Sequence, residues 1–148
     1  MQSYPELEIS IHQRNDGIFT LDGRFYSSKD PDDKRLGAKK PIEMQLDLLA
    51  LQDNLLDMQE YGRVLSQTFF TQEVKTFFSQ ALAAAGTEPL RFRLVLGPTA
   101  SALHNVHWES LLNPLDETLL AANQNILFSR YLASENWNAV KLQEKDKV

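Results

Sequence analysis

Leu7, Ile9 and Ile11 alternate with Glu8, Ser10 and His12, and this period of two predicts a half-buried β-strand. Asn15-Asp16-Gly17 follows, where Asn and Gly tolerate the positive φ of a tight hairpin turn. Residues 18–21 predict the returning strand, and Asp22-Gly23 a second turn into residues 24–27. Residues 6–28 are therefore expected to form a β-hairpin or small meander. Residues 29–41, "KDPDDKRLGAKKP", are charged and carry two prolines and a glycine, the pattern of a solvated loop.

The period then lengthens, and residues 42–86 are expected to be mainly helical. A short strand over residues 41–46 leads to Asp47, a natural N-cap, followed by Leu48, Leu49, Leu51, Leu55 and Leu56 at helical spacing. Tyr61, Val64, Leu65, Thr68 and Phe69 line one side of a second helix. Thr71 opens a third, with Val74, Phe77, Phe78, Ala81, Leu82 and Ala85 as its apolar stripe. Gly86 sits where a left-handed C-terminal residue ends a helix. "LRFRLVL" at residues 90–96 returns to period two, with Leu90, Phe92, Leu94 and Leu96 inward and Arg91, Arg93 and Val95 outward. Gly97-Pro98-Thr99 breaks that strand, and Thr99 is placed to cap a helix reaching Leu112, which Asn113-Pro114 stops. "ILFSRYL" at residues 126–132 predicts a last strand. Strands and helices together give an α/β (α+β) class: an N-terminal hairpin or meander, a helical segment, then strand-helix-strand over residues 90–132.

Composition narrows what such a fold can do. The 148 residues suit one domain or part of a larger one, and 43% hydrophobic residues suffice for a core. The formal net charge is −5, so neither nucleic acid nor an anionic membrane surface is an expected partner, since both demand clustered Lys and Arg. No run of 18 apolar residues exists, and the N-terminus lacks the basic-then-apolar order of a signal peptide. Cysteine is absent, which removes disulfides, thiolate zinc sites and thiol nucleophiles together. A cytoplasmic protein without a cofactor is the expectation.

The densest chemistry is "HNVHWESLLNP", residues 104–114. It holds His104, His107, Trp108 and Glu109. On a helix, His104 and His107 would share a face and could hold a metal, but zinc needs a third ligand and the HExxH spacing is missing. A proton shuttle through His and Glu would need a nucleophile, and Ser110 lacks the glycines of a nucleophile elbow. The third possibility is packing. A helix would bury Leu103, Val106, Trp108, Leu111 and Leu112, while Glu109 pairs with Arg130, which is flanked by Phe128 and Tyr131. No catalytic and no metal-binding residue is assigned, and Trp108, Glu109, Arg130 and Tyr131 are expected to form a structural motif.

The succession of these segments resembles the front of CHAT domains, a caspase-like family of clan CD type cysteine peptidases found in bacterial signalling and defence proteins. The family shows an arginine-rich apolar strand, a "Leu-His-x-x-x-Trp-Glu-x-Leu" segment and a "Ser-Arg-Tyr-Leu" strand. These match Leu103, His104, Trp108, Glu109 and Leu111, then Ser129, Arg130, Tyr131 and Leu132. "Leu-Glu-Ile" at Leu7, "Leu-Asp-Leu-Leu-Ala-Leu" at Leu46 and "Glu-Tyr-Gly-x-x-Leu" at Glu60 are similar to the region preceding the protease core. The resemblance spans residues 6–142. It implies the start of a caspase-like sheet and, in the family, a His–Cys dyad. The family pattern places both dyad residues downstream of the Trp-Glu motif, so His104 and His107 match neither, and no cysteine exists here. The implied role for residues 1–148 is a non-catalytic N-terminal scaffold whose partner is the remainder of the protease. The alternative is a stand-alone interaction module, a degenerate relative that binds a partner protein. The scaffold form, with its sheet incomplete, is expected to leave a sheet edge open for self-association, whereas cooperative unfolding as a monomer would mark the stand-alone module.

Overall fold

The computed structural model describes residues 4–15, 18–27, 30–37 and 40–133. The fold is α+β, built on a six-stranded mixed sheet. Strand β1 (Glu6–Asn15) pairs antiparallel with β2 (Ile18–Ser27). β2 carries two short strands in tandem on its other side: β3 (Asp30–Leu36) along its second half and β4 (Ile42–Gln45) along its first. On the far side of β1 lie β5 (Leu90–Leu96) and then β6 (Ile126–Leu132), both parallel. The order β3-β2-β1-β5-β6 makes β6 an edge strand among the described residues.

The alternation decides which face carries the helices. Leu7, Ile9, Ile11, Phe19, Leu21, Phe25, Phe92, Leu94 and Leu96 are buried on one face. Against it pack α1 (Leu48–Gln52), α2 (Met58–Phe69) and α3 (Gln72–Ala85). Tyr61, Leu65 and Phe69 of α2, and Val74, Phe77, Phe78, Ala81 and Ala85 of α3, are the buried stripes that the period of 3.6 predicts. Aromatic rings connect the layers: Phe70 meets Phe78, Phe78 meets Phe92, and Phe92 meets Phe128, with centroids 5.4, 5.9 and 5.4 Å apart. Asp47 caps α1 by accepting from the N–H groups of Leu49 and Ala50, and Gly86 ends α3 at φ 62°.

Four sequence expectations are corrected. Asp22-Gly23 makes no turn, because β2 runs unbroken and these residues pair with Ser10 and Ile9. Gly23 serves packing instead: a Cβ there would lie 3.2 Å from the Phe77 ring and 3.3 Å from Leu36 Cβ. The Asn15-Asp16-Gly17 turn lies partly outside the described residues, although Asn15 and Ile18 pair across it. Residues 29–41 are not only loop, since β3 forms there; its charged sequence suits an outer strand whose pairing comes wholly from β2. The leucine run after Asp47 gives only five helical residues, and Leu55 and Leu56 are exposed.

The fourth correction concerns residues 99–112, which form no α-helix. Pro98–Leu103 and Trp108–Ser110 are short 3-10 turns, and Leu112 bridges Leu119. Thr99 caps nothing; its hydroxyl oxygen accepts from the Gln13 N–H at 3.1 Å. The physical reason is competition for backbone groups. The His107 and Leu112 N–H groups donate to side chains on α2, and a helix ladder would forfeit both bonds.

Candidate functional site

The segment carrying the histidines is held by α2 from below. The His107 N–H donates to the Tyr61 hydroxyl at 3.0 Å, and the Leu112 N–H donates to Ser66 Oγ at 2.8 Å. Between them, Gly62 lets the helix approach the Ser110 carbonyl more closely than any side chain would allow. Trp108 drops into the resulting seat, fully buried, with its indole N–H donating to the Leu103 carbonyl at 3.1 Å and its ring edge-on to Phe69 at 5.9 Å. Leu103, Val106 and Leu111 are buried around it.

Arg130 Nε lies 3.1 Å from Glu109 Oε2, and an Arg130 terminal nitrogen donates to the Val106 carbonyl at 2.8 Å. The arginine thus ties β6 to the loop twice. Glu109 is not near the apolar core: its side chain is 54% exposed and Arg130's 31%, so the ion pair is a wet one. Tyr131 does not join this group. Strand alternation puts it on the other face of the sheet, where the Arg93 guanidinium sits 4.6 Å from its ring centroid. The four motif residues therefore divide into Trp108, Glu109 and Arg130 on the helix-bearing face and Tyr131 on the open one.

The histidines share no helix face. His104 follows the first 3-10 turn, with a buried Nε2 lacking a hydrogen-bond partner, and His107 is exposed with its ring edge-on to Tyr61 at 5.3 Å. His12 sits on β1, 3.9 Å from Asp22 of β2. No group of three or more His, Cys, Asp or Glu side chains that could hold a metal exists among the described residues. Ser110 donates its hydroxyl to the His107 carbonyl at 2.6 Å, so that proton faces a backbone oxygen and not an imidazole.

Two concavities flank α2. One, about 550 Å³, lies between Met58, Gln59, His107, Glu109 and Leu119; the other, about 340 Å³, between Gln67, Phe70, Lys75 and Leu115. Arg63, Leu112 and Glu117 line both, so they form one interrupted groove along the helix. The loop forming its outer wall is tightly folded. Asn113 accepts from the Leu115 and Glu117 N–H groups, and Glu117 takes φ 60°, a conformation uncommon outside glycine. Leu115 and Leu119 on that wall and Met58 at the start of α2 expose large apolar side chains, as do Leu55 and Leu56 in the turn before α2.

The open sheet face carries a polar network that composition did not foretell. Glu6 is only 7% exposed, although it lies on the sheet face opposite the buried Leu7, Ile9 and Ile11. Tyr26 donates its hydroxyl to the Glu6 carboxylate, Arg93 reaches Glu6 at 3.3 Å and Glu8 at 3.4 Å, and Arg91 stands 4.0 Å from Glu6. The bond to Glu6, then burial, then the charges of Glu6 and Glu8 raise the Tyr26 hydroxyl above its ordinary pKa. Burial opposes the charge on Arg93, but its hydrogen bond to Glu6 and the charges of Glu6 and Glu8 outweigh it and raise its pKa. Arg93 of "LRFRLVL" is therefore engaged with two carboxylates from β1, and Arg91 stands at the limit of ion-pair distance from one of them.

The sequence placed Tyr61 in a helix stripe and Tyr61 and Gly62 in a motif, but gave no sign that these two and Ser66 position the whole segment. One signal was available: a glycine inside a helix costs about 1 kcal/mol relative to alanine and often marks a close approach. Comparison with protein-family models, curated proteins and solved structures finds no match to this chain. None of the helices among the described residues is long and apolar enough to cross a membrane.

Proposed function

We propose that this chain is a non-catalytic scaffold, the N-terminal segment of a bacterial, cytoplasmic CHAT-type cysteine peptidase, whose groove along α2 receives the remainder of that protease. The reading is supported first by the order of the motifs quoted above. One structural observation carries it further: Met58, Leu115 and Leu119 expose apolar surface along one groove. Clustered apolar exposure of this kind marks a packing surface. The Trp108 corner fits the same role, because its polar groups are spent on holding backbone: Trp108 on Leu103, Ser110 on His107, Arg130 on Val106. Without cysteine, the chain has no thiol chemistry of its own.

The test begins with the reading frame beyond the Val148 codon. An open frame leading into a domain with a histidine and a cysteine after successive strands is expected. In the longer product, amides of the 115–119 wall should exchange more slowly with solvent than in the 148-residue chain. A stop codon directly after Val148 would overturn this reading in favour of a free-standing interaction module. That alternative draws on a second observation, the single apolar core already closed around the sheet by the described residues.

A further inference from the structure

The two edges of the sheet are built differently. The β3 edge has the sequence "DPDDKRL", with a proline and five charged residues, and its pairing with β2 is irregular. Those are the devices that keep an outer strand from recruiting another. The β6 edge, "ILFSRYL", has none of them: its register with β5 is unbroken from Ile126 to Leu132, and its one charge is paired with Glu109. Leu127, Tyr131 and Leu132 are 41%, 45% and 49% exposed.

The backbone shows which groups of β6 have no partner among the described residues. Leu90 donates to the Asn125 carbonyl, and the Ala133 N–H donates to the Leu96 carbonyl. In a parallel strand the alternation then turns the odd-numbered residues toward β5 and the peptide groups of Ile126, Phe128, Arg130 and Leu132 outward. The Ile126 N–H is already taken by Asn123. The outward row asks for an extended strand.

We propose that this edge pairs with the same edge of a second copy, antiparallel, about a two-fold axis through Ser129. In that register Phe128 faces Arg130 of the other copy and Ile126 faces Leu132, each an outward-turned, hydrogen-bonded pair. Leu127 faces Tyr131 and Ser129 faces Ser129, the close non-hydrogen-bonded pairs, whose Cα atoms approach to about 4.5 Å. Every exposed apolar residue of the strand meets an apolar partner, and no like charges are opposed. Moving the axis to Arg130 would set two arginines face to face. Moving it to Phe128 would leave Leu132 beyond the partner strand. A register shifted by one residue would oppose free groups to groups already bonded to β5. The contact is one strand wide, below the area of a permanent interface, so the dimer forms and dissociates with concentration. It uses β6 and not the α2 groove.

The test uses the full 148-residue chain in sedimentation velocity across a concentration series. Wild type is expected to show a concentration-dependent monomer–dimer equilibrium. Ser129→Glu places a carboxylate beside Arg93 of its own sheet but opposite its own image across the axis, and should weaken the dimer about tenfold or more while the chain stays folded. Because the chain lacks cysteine, Ser129→Cys should crosslink to a dimer on mild oxidation. Leu127→Cys should not, since its image lies four residues away along the partner strand, roughly 13 Å. A wild type that stays monomeric throughout overturns the proposal. So does a dimer insensitive to Ser129→Glu with no Ser129→Cys crosslink, which would assign self-association to another surface, and so does slowed exchange at Phe128 and Arg130 only when a different protein is added.

Discussion

Gly62→Ala probes how closely α2 seats the Trp108 segment. In a solvent-facing helix this change stabilises by about 1 kcal/mol, because alanine loses less backbone entropy. At Gly62 the new methyl carbon would lie inside 3.0 Å of the Ser110 carbonyl oxygen and 3.4 Å from Ser110 Cβ. The obstacle is backbone and cannot rotate away. Overpacking of this kind costs about 1–3 kcal/mol. Pushing α2 back also strains the Tyr61 bond to His107 at 3.0 Å and the Ser66 bond to Leu112 at 2.8 Å, each worth about 1 kcal/mol. After the helix-propensity gain, the net destabilisation is about 2–4 kcal/mol. For a domain of this size that lowers the melting temperature by about 5–15 °C. Urea denaturation of Gly62→Ala beside Gln67→Ala, an exposed position on the same helix, is the assay. The control should stay within about 0.5 kcal/mol of wild type. A Gly62→Ala variant as stable as wild type, or more stable, would refute the close seating of α2 against Ser110.

Ser66→Ala leaves the Leu112 N–H without its acceptor and should cost about 1–3 kcal/mol, with faster hydrogen exchange at Leu112 as the specific sign; unchanged exchange would count against the bond. Glu109→Ala removes the half-exposed pair and should change stability by no more than about 1 kcal/mol in a denaturant titration, because Arg130 keeps its bond to the Val106 carbonyl. Trp108→Ala empties the seat and should cost about 3–5 kcal/mol by the same titration. The Tyr26 hydroxyl has its folded pKa raised above the ordinary 10.0, so its contribution to stability is complete below pH 10 and lost as pH rises through the folded value. Alkaline denaturation should therefore show a component that Tyr26→Phe abolishes, and an identical pH profile in both proteins would exclude it.

Elements with a strong local period were legible. The buried stripes of α2 and α3 and the alternation of β1 and β5 follow from side-chain geometry that the order of residues fixes. The pairing of Glu109 with Arg130 was also legible, from charge and the flanking aromatic residues, although its exposure was not. What misled was local chemistry with a tertiary competitor. Asp22-Gly23 has the composition of a turn, but two neighbouring strands hold it extended and the Phe77 ring fills the space above the glycine. Thr99 has the composition of a cap, but its oxygen serves Gln13, 86 residues away in sequence.

By itself the sequence determined that the chain is of the α+β class, that it has no thiol, and that its best-patterned segments are two amphipathic helices and alternating strands. Periodicity and composition are properties of neighbours along the chain, and these features need nothing else. Only the tertiary structure decided that residues 99–112 would be turns, that Tyr61, Gly62 and Ser66 would hold them, that Glu6 would be buried by arginines and a tyrosine, and that β6 would be the edge strand among the described residues. Each of these depends on partners far apart in sequence, where a backbone N–H or a carboxylate takes whichever group the fold brings within reach.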